Sequence, residues 1–323
     1  MKPLKFEPFF RTMVWGGQKI ARYKGLDTPL KQIGESWELS AEPTHVSVVA
    51  EGPLKGRTLA ELVATYKGAL VGQSVYERTG DAFPLLFKFI DAHADLSIQV
   101  HPGDEMAARV HGAPNGKTEM WYVVAAEPGA SLYCGLTAHT TPEQLSYMVA
   151  SGKLTDILAH YRVHPGDVFF LPPGRIHAIC SGCLVAEIQQ TSDLTYRIWD
   201  YNRPGLDGKP RPLHTELALE AIDYKVLPTY KTTYEPQTDE EVELVSCPYF
   251  TTSLLDLTLP YAKDLSALDS FVAVMCLSGA GTLEVDGEEM SIGQGETVLI
   301  PADADDLCLI PDDSLKVLLS YIQ

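Results

Sequence analysis

The chain has 323 residues, 45% of them hydrophobic, which is enough to bury one large core or two modest ones and argues against disorder. Twenty-five Lys and Arg against 43 Asp and Glu give a formal net charge of -18, so non-specific attraction to nucleic acid or to an anionic membrane is not expected, and an anionic substrate must meet a local basic patch. The longest uncharged apolar runs, such as FVAVMCL at 271–277, fall short of the ~20 residues that a bilayer span requires.

From its start, MKPLKFEPFFRTMVW is interrupted by Glu7, Pro8 and Arg11 and lacks the apolar stretch of a secretory signal, which predicts a cytoplasmic protein. Strands follow at GESWELS (34–40) and THVSVVAEG (44–52), each bounded by turn residues. A helical segment is predicted over about 57–72: Thr58 and Glu61 form a capping box, and Leu59, Leu62, Val63 and Tyr66 recur at helical spacing. LLFKFIDA, LSIQVHPGD and TEMWYVVAAEPG read as the next strands. A second helical segment, about 140–162, opens at Thr141 with Pro142 in its first turn and Gln144 completing another capping box, and KLTDILAHY reads as its continuation. DVFFLPPG and CLVAEIQQTSD return to strand. Between 205 and 245 the chain turns polar around a short helix-like LALEAIDY, which predicts two domains, 1–235 and 236–323. Frequent turns and few helices predict a mainly β fold of jelly-roll barrels.

The strand-rich tail carries a faint repeat of the first half. Gly166-x5-Pro172-x-Gly174-x2-His177 reappears as Gly295-x5-Pro301-x-Asp303-x2-Asp306. Only the first copy keeps the histidine, so the second barrel is expected to hold no metal. The six cysteines are expected to be reduced thiols. Cys180 and Cys183 form a CxxC, but no second CxxC exists to complete a four-sulfur site, and both are read as packing residues.

Gln99 and His101 lie two apart in LSIQVHPGD, so strand alternation sends both side chains to one face. Glu119 follows eighteen residues later, after a loop rich in Gly, Pro and Asn, and a hairpin is expected to return it beside that pair. His177 arrives from a third strand behind a turn fixed by Pro172, Pro173 and Gly174. Two imidazoles, a carboxylate and an amide oxygen suit a borderline divalent ion such as Zn²⁺ and leave room for water or a substrate oxygen. Lys117, two residues before Glu119, shares its strand face and is expected to project towards the metal pocket. Its bland alternative is a solvated loop lysine. His93, His111, His160 and His164 are read as packing residues.

The pattern resembles the cupin superfamily, with QxH standing where many cupins carry HxH. VWGG at 14–17, GESWELS at 34–40, LSIQVHP at 96–102, GKTEMWYV at 116–123, PPGRIHA at 172–178 and EIQQTSDLTYRIWDY at 187–201 together resemble type I mannose-6-phosphate isomerases of the short bacterial form. The resemblance implies one zinc per chain on Gln99, His101, Glu119 and His177. It also implies a substrate pocket containing Trp15, Ser97, Lys117, Glu187, Asp193 and Arg197, with a sugar phosphate as substrate. The chain is expected to act as a monomer or homodimer.

Interconverting an aldose and a ketose phosphate moves a proton between adjacent carbons through an enediol. A bound metal can polarise the oxygens concerned, while Glu187, Asp193, Lys117 or metal-bound water carries the proton. Arg197 can fork onto the phosphate or steady the enediolate, and its bland alternative is an ion pair with Asp200. Trp15, Trp121 and Tyr122 can form an apolar wall against the sugar. Two rivals remain at this stage. A non-haem iron oxygenase shares the two-His-one-carboxylate set, although Gln99 would occupy a position that oxygen needs. A non-catalytic sugar-binding cupin would keep the fold without turnover.

Overall fold

Alternating side chains sort onto two faces of each strand, and in the computed structural model, which describes residues 1–323, those faces close into two barrels. The first barrel opposes two sheets. One orders Lys231–Thr232, Val168–Leu171, Glu119–Ala126, Cys183–Gln190, Leu85–Ala92, Ile33–Leu39 and Phe9–Gly17; the other orders Leu158–Arg162, Ser131–Leu136, His177–Ile179, Ile98–Val100 and Tyr196–Trp199. Leu85–Ala92 shows why the larger sheet reads as almost continuously apolar. Ile90 and Ala92 face the barrel interior, whereas Leu85, Phe87 and Phe89 pack into a layer shared with Leu70, Val71, Leu254, Phe271 and Leu318. Both faces of that sheet are therefore covered.

Both predicted capping boxes form. Thr58 accepts from the Glu61 amide at 3.2 Å and Glu61 answers from the Thr58 amide at 2.8 Å, opening the helix Leu59–Tyr66. Thr141 and Gln144 do the same for Pro142–Ala150. The expected helical continuation to 162 does not form. A single 3-10 turn, Leu154–Ile157, gives way to the strand Leu158–Arg162, because ladder bonds to Ser131–Leu136 outweigh the local helical pattern. No helix is long and apolar enough to cross a membrane.

The second barrel is built on two long strands, Val272–Val285 and Asp306–Tyr321, with bulged register near Cys276 and Gly279 where the pair bends. Its interior is an unbroken apolar cluster that includes Leu255, Val274, Leu283, Leu309 and Leu319. The faint repeat corresponds to matching geometry. Gly166 and Gly295 adopt φ of 92° and 81°, a left-handed turn that favours glycine, and donate their amides to Val123 and Cys276 at 2.8 and 2.9 Å. At the position equivalent to His177 stands the exposed Asp306. The amino terminus crosses the expected division at residue 235: Leu4–Lys5 pairs with Thr297–Ile300 of the second sheet, while Lys231–Thr232 still pairs with Val168–Leu171 of the first.

Candidate metal centre

One row of cross-strand neighbours builds half of the site. His177 lies opposite Gln99, and Gln99 lies opposite Arg197 on its other side, so the register sends all three side chains to one face of the five-stranded sheet. His101 follows Gln99 on the same face. The facing sheet supplies a second row, in which Trp121 lies opposite Glu187 and Glu187 opposite Lys88. Glu119 begins the strand that carries Trp121. It does not return by a hairpin: the connection from His101 forms the helix Asp104–His111 and crosses to the other sheet, so Glu119 meets the histidines across the barrel.

His101, Glu119 and His177 are all buried, with ligand atoms within 4.8 Å of one another. The Nε2 atoms of His101 and His177 each lie 3.5 Å from a Glu119 oxygen. Each imidazole has its Nδ1 2.8 Å from a backbone carbonyl, that of Leu194 for His101 and that of Arg175 for His177, which turns both Nε2 lone pairs towards the centre. Burial and the Lys117 ammonium hold His101 well below the usual histidine range. Burial brings His177 down to about 3, so both rings are neutral, as metal ligands must be. Three observations fit a cation at this point. The donors suit a borderline divalent ion, Glu119 Oε1 is buried without a hydrogen-bond partner, and the Lys117 ammonium already lies 3.1 Å from His101 Nε2 and against Glu119 Oε2.

Gln99 borders this group with its amide turned away from the expected role. Its oxygen accepts from Ser97 Oγ at 3.0 Å and its nitrogen stands 3.3 Å from His177 Nε2. Reversing the amide would present the oxygen to the donors without changing the side chain's shape.

The remaining expected residues divide clearly. Lys117 is 4% exposed, which disposes of a solvated loop lysine. Glu187 accepts from Trp121 Nε1 at 2.9 Å and lies 3.3 Å from the Lys88 ammonium and 3.9 Å from that of Lys117. Burial pushes Glu187 up, but Lys117 and Lys88 prevail and bring it to about 2. Burial and the Glu187 charge push Glu119 the opposite way. Trp15, Ser97, Asp193 and Arg197 all line the same cavity. Tyr122 does not, because alternation sends it to the outer apolar layer. Arg197 makes no ion pair with Asp200, whose carboxylate is taken by Arg203 and Arg211 at 2.7–3.0 Å, and Arg197 Nε is buried without a partner. His93, His111, His160 and His164 are exposed rather than packed in the core; His111 bonds the Tyr196 hydroxyl at 2.8 Å and His160 lies tilted over Tyr133 at 4.8 Å, both at the surface. Burial pushes the Cys180 and Cys183 thiols up to about 12, leaving neither activated.

Arg11, Lys88, Arg211 and Glu35 also line the cavity and were not singled out by sequence. With Lys117 and Arg197, five basic side chains gather at one place in a strongly acidic chain, which is the local patch that an anionic ligand requires. Lys88 shares a strand face with Ile90, and the opposite face of the same strand carries the buried Asp91, so neither face stands out as the polar one.

The chain is also similar to known proteins in sequence and fold. Residues 4–126 match the catalytic domain of type I phosphomannose isomerase, and residues 240–312 match the mannose-6-phosphate isomerase cupin domain. The chain is 36% identical over 303 residues to mannose-6-phosphate isomerase ManA of Bacillus subtilis, covering 93% of each, and 35% identical over 301 residues to a mannose-6-phosphate isomerase of Streptococcus mutans, covering 93% of this chain and 92% of that one. The crystal structure of a mannose 6-phosphate isomerase from Bacillus subtilis superposes with a TM-score of 0.90 at 31% identity over 100% of both chains. A phosphomannose isomerase variant from Salmonella typhimurium, 18% identical, shares the fold over 100% of both chains with a TM-score of 0.82.

Proposed function

The chain belongs to the type I mannose-6-phosphate isomerase family and interconverts mannose 6-phosphate and fructose 6-phosphate, and from that premise we propose that its first barrel does so with one zinc ion held by His101, Glu119 and His177, with Gln99 as the fourth ligand. The observation that carries this reading is the convergence of two neutral imidazoles and a partnerless Glu119 oxygen inside a cavity ringed by basic side chains. A bound zinc supplies Lewis-acid polarisation of the substrate's carbonyl and neighbouring hydroxyl.

The chain's own groups supply the rest. Glu187, an anion fixed by Trp121 and Lys88, takes the proton from C2 and returns it to C1 of the enediol. Lys117 serves the proton that moves between the two oxygens. Arg197, with an unpaired buried Nε and no carboxylate of its own, receives the phosphate, with Arg211 beside it in the cavity wall. Asp193, 3.2 Å from Arg11, holds that arginine at the cavity wall. Trp15 and Ser97 shape the apolar and polar sides of the sugar pocket.

A coupled assay of fructose 6-phosphate formed from mannose 6-phosphate, combined with metal analysis of the purified protein, tests the proposal. Stoichiometric zinc, turnover that stops on chelation and no oxygen uptake are expected. Bound iron with oxygen consumption would reject it, as would metal binding without turnover.

A further inference from the structure

We propose that Tyr249 of the second barrel is a positioning residue for the Lys117–Glu119 segment of the first, acting through the carboxylate of Asp104. Tyr249 sits in the turn between Glu241–Ser246 and Thr251–Leu257, and its hydroxyl donates to Asp104 Oδ2 at 2.7 Å. The other oxygen, Oδ1, accepts from the Gly116 amide at 2.7 Å and from Gln190 Nε2 at 3.0 Å. Gln190 carries the chain of contacts one residue further: its Oε1 accepts from the Thr118 amide at 2.9 Å and its own amide donates to Thr118 O at 3.0 Å. The Lys117 amide donates to Pro102 O at 3.0 Å. Three consecutive backbone positions ahead of Glu119 are thereby fixed.

These contacts hold two functional segments back to back. A Cβ added at Gly116 would lie 2.5 Å from both Pro102 O and the Gly103 carbonyl carbon, so residues 101–104 and 116–119 already touch. The first segment carries His101 and the second carries Lys117 and Glu119, so Asp104 sets the spacing between them. Close packing does not fix Asp104 from outside, because a cavity of about 310 Å³ at the seam between the barrels borders both Asp104 and Tyr249. The phenol is pushed up to about 12 by burial and by Asp104, and it remains a donor. Other polar links between the barrels, such as Tyr23 on Leu277 O and Asp269 on the amides of Gln73 and Ser74, involve no residue of 101–104 or 116–119. The Tyr249 bond reaches Asp104, which holds the Gly116 amide at the head of the Lys117–Glu119 segment, and so gives the second barrel a part in catalysis.

The test compares Tyr249→Phe with the parent enzyme in its metal-loaded form. The kinetic arm rests on the isomerase reading, and there kcat falls about three- to tenfold with KM within about twofold, a fraction of the more than tenfold that a whole hydrogen bond to a charged group is worth, as fits a residue acting through others. Amide hydrogen exchange over residues 112–119 quickens by about tenfold, a readout that needs no substrate and stands even if the isomerase reading fails. In an Asp104→Ala background the tyrosine change adds nothing further. Should Asp104→Ala fail to fold, Asp104→Leu, which fills the same space and offers the tyrosine no acceptor, takes its place. Unchanged exchange overturns the proposal, as does unchanged kcat, even if thermal stability drops; so does simple additivity of the two substitutions.

Discussion

Where the first barrel buries Lys117 against Glu119 at its centre, the second fills the corresponding space with Leu283, Leu309 and Leu319, all fully buried. The strand–turn–strand frame is shared, down to the left-handed Gly166 and Gly295, but the interiors are opposite in chemistry. Buried charge costs several kcal/mol per ion unless it is paired and hydrogen-bonded. In the first barrel Lys88, Lys117, Glu119 and Glu187 neutralise one another around the donors. The apolar layer between the barrels, running from Phe83 and Val71 to Phe271 and Leu318, is contributed by both halves and supplies cohesion that the polar interior does not. One barrel can therefore be devoted to chemistry because its neighbour is devoted to packing.

Substitutions can break that contrast at graded depths. The deepest is His101→Ala, which removes a ligand: metal content measured on the purified variant should fall to background and turnover by at least about 10³-fold, since Lewis-acid polarisation goes with the metal. A variant that is fully active without metal would reject the ligand assignment. Glu187→Gln keeps the shape but removes the base, and steady-state kinetics should show kcat down about 10²- to 10⁴-fold with zinc retained. Arg197→Ala should lower kcat/KM by about 10²-fold with near-normal zinc content, and full activity would contradict its role as the phosphate anchor.

The second barrel should respond in stability instead. Leu319→Ala is expected to lose about 2–5 kcal/mol in denaturant unfolding while kcat at low temperature stays within about twofold. The smallest effect concerns pH and returns to the first barrel. His177 falls from 6.5 to about 3 on folding, so the unfolded chain takes up the proton first. Its contribution is complete above about 6.5 and drains away as pH falls towards about 3. Glu119, raised by burial, shifts stability the other way, so the comparison is with His177→Gln: the stability of metal-stripped parent relative to that variant should fall by about 2 kcal/mol from pH 7 to pH 5, read as the difference in urea midpoints. A flat difference over that range would remove the buried neutral imidazole from the picture.

Much of the site could be read from residue spacing, and the parts that could not have physical reasons. Gln99 and His101 share a strand face because alternation is local, and Lys117 points the same way as Glu119 for the same cause. The route between His101 and Glu119 was misread because DEMAARVH, flanked by Gly103 and Gly112, is a short helix inside a stretch dominated by loop residues. Only the tertiary path shows that it carries the chain from one sheet to the other. Lys88 was hidden because Leu85–Ala92 is covered on both faces, which removes the polar–apolar contrast that marks an inward lysine. Arg11 and Arg211 lie where no periodicity points, the first on a bulged strand and the second in a polar loop latched by Asp200. The two-residue strand Leu4–Lys5 is too short to register, yet it ties the start of the chain to the second barrel.

The central claim is that donors from both sheets of the first barrel meet to hold one catalytic metal. Titrating Zn²⁺ into metal-stripped protein while following the conversion of mannose 6-phosphate tests it most directly. Turnover should climb with added zinc and level off at one equivalent per chain; full turnover in the stripped protein, or a plateau that His101→Ala leaves in place, would contradict it.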